Sequence, residues 1–328
     1  MVSFALIGAG RIGRLHAGNL AANPRVRFTA VADVAAAAAE QVAAAHGARA
    51  VSVEAAITGP DIDAVLIASS TDSHADLIER AARAGKAILC EKPIDLDYQR
   101  SRQAVAVAED CGVPLAIGFN RRFDTNFRAL KARLEAGEIG QLETVAITSR
   151  DPEPPPIAYL RSSGGLFRDM MIHDFDMVRW LTGEDVVELH AMAANLIDPE
   201  IGAVGDVDTA IVVLRMVSGR LCQITTSRRA AYGYDQRIEC HGSLGMLRAD
   251  NVTLTTVEVA DETGFRRDPA EPFFLERYGA AYQAELAAFV EAMTSGAAPT
   301  PSGADGLAAL RLADKATESV ATGQPVKL

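Results

Sequence analysis

Short apolar runs alternate with helical patterns through the first 120 residues. Val2–Ile7 is apolar apart from one serine and ends in glycines. Arg14–Ala22 then reads as a helix, Arg27–Ala32 as a second strand, and Val34–His46 as an alanine-rich helix stopping at Gly47. The order recurs as strand Ala64–Ala68, helix His74–Ala84 ending at Gly85, strand Ala87–Cys90, helix Leu96–Cys111 ending at Gly112, and strand Leu115–Gly118. Strands with almost no polar alternation are buried on both faces, which marks a parallel sheet. Repeated β-α-β units therefore predict a doubly wound α/β domain over residues 1–119.

After Asn120 the pattern changes. Phe127–Glu135 is helical and Thr144–Ser149 strand-like. Asp151-Pro-Glu-Pro-Pro-Pro is a stiff loop that cannot join a sheet. Gly164–Leu181 reads as one helix entered through two glycines. Strand-like stretches follow at Val186–Ala193, Thr209–Met216, Arg220–Thr226, Arg237–His241 and Thr253–Val259, with turns marked by Gly219, Gly242 and Gly245. Helices return at Ala280–Met293 and Gly306–Ala321. Residues 120–328 thus form a predicted α+β domain with a large, mostly antiparallel open sheet.

Composition narrows the function classes. A chain of 328 residues, 49% hydrophobic and 23% charged, has the balance of a folded globular protein of about two domains. Its net charge of −11 disfavours nucleic acid and anionic membranes as partners. No apolar run approaches the ~20 residues of a membrane span, and the first residues lack the basic region of a signal peptide. Cys90, Cys111, Cys222 and Cys240 form no CxxC pair, so reduced thiols and a cytoplasmic location are expected. Lysine is rare, which makes Lys92 more informative than a surface lysine usually is.

Gly8-Ala-Gly10-Arg-Ile-Gly13 follows the first strand at once and opens a helix. In that context GxGxxG is the dinucleotide fingerprint. The first glycine makes the tight turn, the second lets a pyrophosphate approach the backbone, and the third lets helix and strand pack closely. Free N–H groups and the dipole at the helix start then hold the phosphate charge. Asp33 lies 20 residues past Gly13, where a carboxylate accepts from an adenosine ribose and repels a 2′-phosphate. NAD is therefore expected over NADP.

Glu91-Lys92-Pro93 follows a strand, at the end of the sheet where open α/β domains bind ligands. Asp169 and His173 stand four apart on the predicted helix and share a face, with Asp176 a third polar member. Such a stripe on an apolar helix is costly to bury unless its groups are satisfied. It could be half of a metal site, but no third and fourth ligands have suitable spacing, so no metal is expected. Asn120-Arg-Arg-Phe-Asp124, Ser149-Arg-Asp151, Arg228-Arg229 and Tyr232-Gly-Tyr234-Asp235 are further polar clusters, each readable alone as a solvated loop.

Taken together these residues resemble the glucose–fructose oxidoreductase and inositol dehydrogenase (Gfo/Idh/MocA) family over nearly the whole chain. Glu-Lys-Pro at 91–93 is the family's lysine motif. More specific are GFNRRFD at 118–124, SRDPEPPP at 149–156, SGGLFRDMMIHDFDMVRWLTG at 163–183, GDVDTA at 205–210 and SRRAAYGYDQRIE at 227–239, which resemble the inositol 2-dehydrogenase branch. The resemblance implies an N-terminal Rossmann domain, a C-terminal domain whose open sheet serves assembly, and NAD-dependent oxidation of a hydroxyl of myo-inositol to scyllo-inosose. It implies a homo-oligomer, a tetramer in the family. It casts Lys92, Asp169 and His173 as catalytic. It places Gly8, Gly10, Arg11, Ile12, Gly13, Asp33, Ser70, Thr71, His74, Glu91 and Lys92 at the cofactor. Arg122, Asp151, Asp169, His173 and Tyr234 then belong to the substrate site.

Two departures bear on which stereoisomer is preferred: some inositol dehydrogenases carry histidine where Ser149 stands and threonine where Met170 stands. The expected mechanism has His173 as general base, Asp169 orienting it, and Lys92 polarising the substrate oxygen, because an imidazole's ordinary pKa of ~6.5 suits base work near neutrality. Three alternatives stay open: another sugar or inositol isomer as substrate, a non-enzymatic NAD-sensing regulator, or a purely structural assembly subunit.

Overall fold

The computed structural model describes all 328 residues, which divide into two compact units. The first holds Met1–Asn120 and Ala280–Leu310, the second Arg121–Gly279 and Arg311–Leu328.

In the first unit the chain runs β1 (Val2–Ile7), α1 (Arg11–Ala22), β2 (Val26–Ala32), α2 (Ala36–His46), β3 (Arg49–Ala50), α3 (Val53–Thr58), β4 (Ala64–Ile67), α4 (Thr71–Arg83), β5 (Ala87–Glu91), α5 (Tyr98–Asp110) and β6 (Leu115–Gly118). The strands form one parallel sheet in the order β3-β2-β1-β4-β5-β6. Every residue of β1, β4, β5 and β6 is buried, as continuous apolar strands require. The strand order reverses at β1 and β4. That reversal opens a crevice at their carboxyl ends.

In the second unit a 3₁₀ turn at Asn120–Phe123 leads into α6 (Thr125–Glu135), capped by Asp124, which accepts from the N–H groups of Asn126 and Phe127. There follow β7 (Leu142–Arg150), α7 (Ile157–Ser163), α8 (Gly165–Asp169), α9 (Ile172–Thr182), β8 (Val186–Ala194), α10 (Pro199–Ala203), β9 (Thr209–Met216), β10 (Leu221–Ser227), β11 (Asp235–Gly242), β12 (Gly245–Ala249), β13 (Glu258–Asp261), β14 (Gly264–Arg267) and α11 (Phe274–Arg277). The chain closes with α12 (Gly279–Ser295), α13 (Gly303–Thr322) and β15 (Val326–Lys327). Seven strands form a sheet in the order β12-β11-β7-β10-β9-β8-β15. Along β9, Ala210, Val212, Leu214 and Met216 turn inward, while Ile211 and Val213 stay about half exposed. No helix is long and apolar enough to cross a membrane.

The sheet is mostly antiparallel, as expected, with one parallel pairing in its middle, where β7 and β10 run together from Leu221↔Thr144 to Ser227↔Arg150. Three expectations need correction. The single helix over Gly164–Leu181 is two: the N–H groups of Met170 and Met171 both donate to the Leu166 carbonyl and close α8, and α9 restarts with Asp174 N–H on Met171. The strand over Thr253–Val259 is reduced to an isolated bridge, Thr253↔Ala270, and to its end, Glu258–Val259, which pairs with β14. Leu254 and Val257 lie exposed, so no buried face holds the middle of the segment in a strand.

The third correction concerns Ala280–Leu310, which falls in the first unit although it follows the second in sequence. Leu286, Phe289 and Val290 of α12 enter the core made by Phe4, Leu6, Leu66 and Leu89. Phe289 meets the Phe4 ring edge-on at 6.2 Å. Alternate residues of β1, β4 and β5 share this face, and α1, α2 and α12 cover it together. Burying three such side chains contributes about 1.5–3 kcal/mol each, which holds the segment to this sheet.

Candidate active site

The turn from β1 into α1 is shaped by two of its glycines. Gly8 has φ +107°, and a Cβ there would collide with the backbone of Ala68 and Ser69. A Cβ on Gly13 would collide with the Gly8 carbonyl. Gly10 differs, since a Cβ there would meet nothing within 4 Å. Nothing in the protein demands glycine at position 10, so the open space above it fits a group that approaches the backbone from outside. Gly10 caps α1 without a side-chain hydrogen bond, leaving the first N–H groups of the helix to an anion. Arg11 is exposed and Ile12 half-buried beside it.

Asp33 follows β2 and is half-buried. Its Oδ2 accepts from Ala9 N–H at 2.7 Å and its Oδ1 from Ala35 N–H at 2.8 Å. The carboxylate thus fastens the glycine turn from the end of β2. Ser70 caps α4 at the end of β4 and is exposed, with Thr71 half-buried next to it. These residues fit a dinucleotide.

His74 is placed differently from a ligand contact. It is buried, with Nδ1 2.8 Å from the Pro93 carbonyl and Nε2 3.1 Å from the Ser69 carbonyl. Burial lowers its pKa, against the raising effect of both backbone contacts. It braces the turn after β5 against the turn after β4. Lys92 is half-buried at the start of that turn, and the Glu91 side chain points back to His16, with Oε1 2.7 Å from Nε2.

In the second unit, Asp169 ends α8 and His173 stands in the first turn of α9, both half-buried. The Tyr159 hydroxyl donates to Asp169 Oδ1 at 2.9 Å. Arg228 Nη1 lies 3.9 Å from Asp169 Oδ2, while its Nη2 donates to Asp206 Oδ2 at 3.2 Å. Arg228 is 1% exposed, and Asp206 Oδ1 accepts the N–H groups of Leu166 and Val207. A Cβ on Gly165, at φ +81°, would stand 2.8 Å from that same oxygen. Arg228 and Asp206 therefore fix α8 and set a positive charge behind Asp169.

The two arginines after β6 answer two aspartates of α9. Arg121 donates to Asp174 at 2.6 Å, and Arg122 grips Asp176 through Nε at 2.8 Å and Nη2 at 2.5 Å. Burial alone would lower the Arg121 pKa, but Asp174 outweighs it and holds the guanidinium above its ordinary value. The Arg121 guanidinium also reaches Ser149 Oγ at 3.4 Å, which accepts from Gln236 Nε2 at 2.7 Å. Position 149 thus lies inside a buried network. Arg122 anchors α9 through its fork, and Asp176 is its partner rather than an open member of the Asp169–His173 stripe. Tyr234 is buried between Phe273 and Tyr278, both met edge-on, and burial pushes its hydroxyl well above its ordinary pKa. Asp151 is half-buried where β7 ends, its N–H on the Ser227 carbonyl.

Sequence reading passed over His16 and Glu285, and gave Arg228 and Asp206 no site role beyond a polar cluster and a motif. Their partners lie tens to hundreds of residues away, and no local spacing announces them. The only available signal was a charged residue inside an otherwise apolar stretch, as with Glu285 in α12.

A doubly wound sheet with a glycine turn open at its second glycine and an acid at the end of β2 defines a dinucleotide-binding protein. Residues 2–119 match the oxidoreductase family with an NAD-binding Rossmann fold, and residues 127–248 match the GFO/IDH/MocA C-terminal domain. The chain belongs to the GFO/IDH/MocA oxidoreductase family. It is 51% identical over 327 residues to the inositol 2-dehydrogenase of Rhizobium meliloti, covering 100% of this chain and 99% of the relative. Identity to the myo-inositol 2-dehydrogenase of Thermotoga maritima is 46% over 330 residues, covering 98% and 97%. The crystal structure of the myo-inositol dehydrogenase from Lactobacillus casei in complex with NAD(H) and myo-inositol superposes with a TM-score of 0.89 at 25% identity, covering 100% and 97%.

Proposed function

We propose that the protein oxidises a ring hydroxyl of a cyclic polyol with NAD, and that the substrate is myo-inositol, giving scyllo-inosose. The observation that carries this is full-length similarity, at 51% identity, to a protein named inositol 2-dehydrogenase. The glycine turn left open at Gly10 supports the cofactor half of the reading.

His173 removes the hydroxyl proton as general base. Asp169 orients the imidazole and stabilises its charged form, and Lys92 polarises the substrate oxygen. NAD, when bound, takes the hydride from the ring carbon, so the alcohol becomes a ketone and the proton stays with the base. Base assistance of this kind contributes about 10²–10⁴-fold. Gly8, Gly10, Arg11, Ile12 and Gly13 hold the pyrophosphate, Asp33 the ribose, and Ser70, Thr71 and the Glu91–Lys92 backbone the nicotinamide half. His74 serves this site through the turn it braces. Asp151 contributes to the polyol site, and Arg122 and Tyr234 support it by packing.

The same reading extends to assembly and location. Met192, Ile211, Val213 and Leu221 leave apolar area exposed on the outer face of the second sheet, which supports self-association, a homotetramer in the family. Reduced thiols support a cytoplasmic protein.

The test is NADH absorbance after mixing protein, NAD and a panel of myo-inositol, scyllo-inositol, D-chiro-inositol, glucose and xylose, repeated with NADP. Fastest turnover with myo-inositol and NAD is expected. Turnover confined to a sugar would move the substrate, and silence with NAD still bound would refute the dehydrogenase reading.

A further inference from the structure

Behind the turn that carries Lys92, three titratable side chains from three elements of the first unit converge. His16 of α1 is 1% exposed, Glu91 of β5 9%, and Glu285 of α12 2%. One nitrogen or oxygen of each lies within 4.8 Å of the other two. His16 Nε2 and Glu91 Oε1 are 2.7 Å apart. His16 Nδ1 and both Glu285 oxygens are buried without a hydrogen-bond partner.

Two carboxylates this close in a dry site cannot both keep their charge cheaply. The His16–Glu91 contact identifies the ionised member. A proton on Nε2 donates to Glu91 and leaves Nδ1 as a bare acceptor, which costs less than burying an unsatisfied N–H. The proton needed to relieve the pair then sits on Glu285, which has no donor to stabilise a charge. Burial first, and the Glu91 charge second, push the Glu285 carboxyl well above the usual carboxylate range.

The site is also closed around Glu91. A Cβ on Gly118 of β6 would lie 2.9 Å from Glu91 Oε2, so only glycine leaves room for the carboxylate. Tyr282, one turn before Glu285 on α12, packs edge-on against His16 with centroids 5.5 Å apart. Lys92 follows Glu91 directly, and the next residue, Pro93, is braced by His74.

We infer that Glu285 is a neutral carboxylic acid set beside the Glu91 carboxylate, and that the cluster of Glu285, Glu91 and His16 is a positioning device that fixes the backbone from which Lys92 projects. This rests on the role given to Lys92 above. α12 thus reaches into the cofactor domain to set one catalytic group. All three are buried behind the turn and act through Lys92, so all are positioning residues.

Two variants and two readouts test the inference. Glu285→Gln keeps a neutral donor of the same shape, whereas Glu285→Met keeps the bulk and removes the donor. The inference expects Glu285→Gln to retain at least half of kcat and Glu285→Met to lose roughly tenfold or more. KM for NAD should stay within about twofold in both, with unchanged circular dichroism. Difference infrared spectra at neutral pH, wild type against Glu285→Gln, should contain a protonated-carboxyl C=O band that the variant lacks. Absence of that band, or equal loss of kcat in both variants, would overturn the inference. So would one equivalent of divalent cation bound to the purified protein and lost in Glu285→Gln, since the same atoms could ligate a metal. The infrared arm needs no turnover, so it still decides the proton's place if the wild type proves inactive on every polyol.

Discussion

Replacing Gly10 by alanine separates the demands of the fold from those of the ligand. Gly10 has φ −71° and ψ −164°, which any residue adopts, and a Cβ there meets nothing within 4 Å. The folded state therefore loses little, and the unfolded chain loses freedom, an effect of about 0.4–1 kcal/mol in favour of folding. A slightly poorer helix cap offsets a few tenths of that. The melting temperature should stay within a few degrees. The methyl group instead occupies the path of the pyrophosphate. Losing one charge-assisted hydrogen bond there, about 1.5–3 kcal/mol, weakens NAD by roughly 10- to 150-fold. Gly13→Ala is the control in the other direction. Its Cβ collides with the Gly8 carbonyl, and overpacking of this kind costs about 1–3 kcal/mol of stability. Calorimetric titration with NAD beside thermal melts reads both variants. A Gly10→Ala protein that is folded and binds NAD as wild type does would refute the placement of the pyrophosphate.

His173→Ala should lower kcat by about 10²–10⁴-fold while NAD affinity is kept, read by steady-state kinetics beside NAD titration; full turnover would sink the base assignment. Asp33→Ser with Val34→Arg should raise the NADP to NAD ratio of kcat/KM, and because Asp33 also holds Ala9 N–H, KM for NAD should rise; an unchanged ratio counts against the ribose contact. Asp208 supplies a pH prediction. Burial would raise its pKa, but the N–H groups of Leu196, Ile197 and Asp198, with the Thr209 hydroxyl, outweigh it and hold the carboxyl below its ordinary value. A depressed folded pKa stabilises the protein above the unfolded value of ~3.9, and that stability is lost as pH falls through the folded pKa. Asp208→Asn should thus flatten the acid limb of a stability–pH curve from denaturant melts; an unaltered limb would remove Asp208 from the account.

The legible parts of this protein were those with a local cause. Apolar runs such as Val2–Ile7 and Ala64–Ile67 must be buried on both faces, so they announced the parallel sheet before any contact was known. The glycine turn was readable because strand, turn and helix are consecutive. The mixed middle of the second sheet was not, since β7 and β10 become neighbours across some seventy residues and neither strand's alternation says in which direction it pairs. The break at Met170–Met171 hides in a stretch of good helix formers, and only the shared Leu166 carbonyl reveals it. The return of α12 to the first sheet is likewise invisible locally, because its apolar face would suit either core. Among the polar residues, Asp169 and His173 stood out by spacing. Arg121 and Arg122 read as a solvated loop until Asp174 and Asp176 were seen to claim them. Long-range pairing of charge, unlike periodicity, leaves no trace in a window of fifteen residues.

The central claim is that hydride leaves a ring carbon of myo-inositol for the nicotinamide. The most direct measurement uses myo-inositol carrying deuterium on the carbon of the oxidised hydroxyl and unlabelled NAD, with mass spectrometry of the NADH formed. The account predicts one deuterium per NADH, bound to the nicotinamide ring, and none in the water. NADH without the label, or label released to solvent, would contradict it.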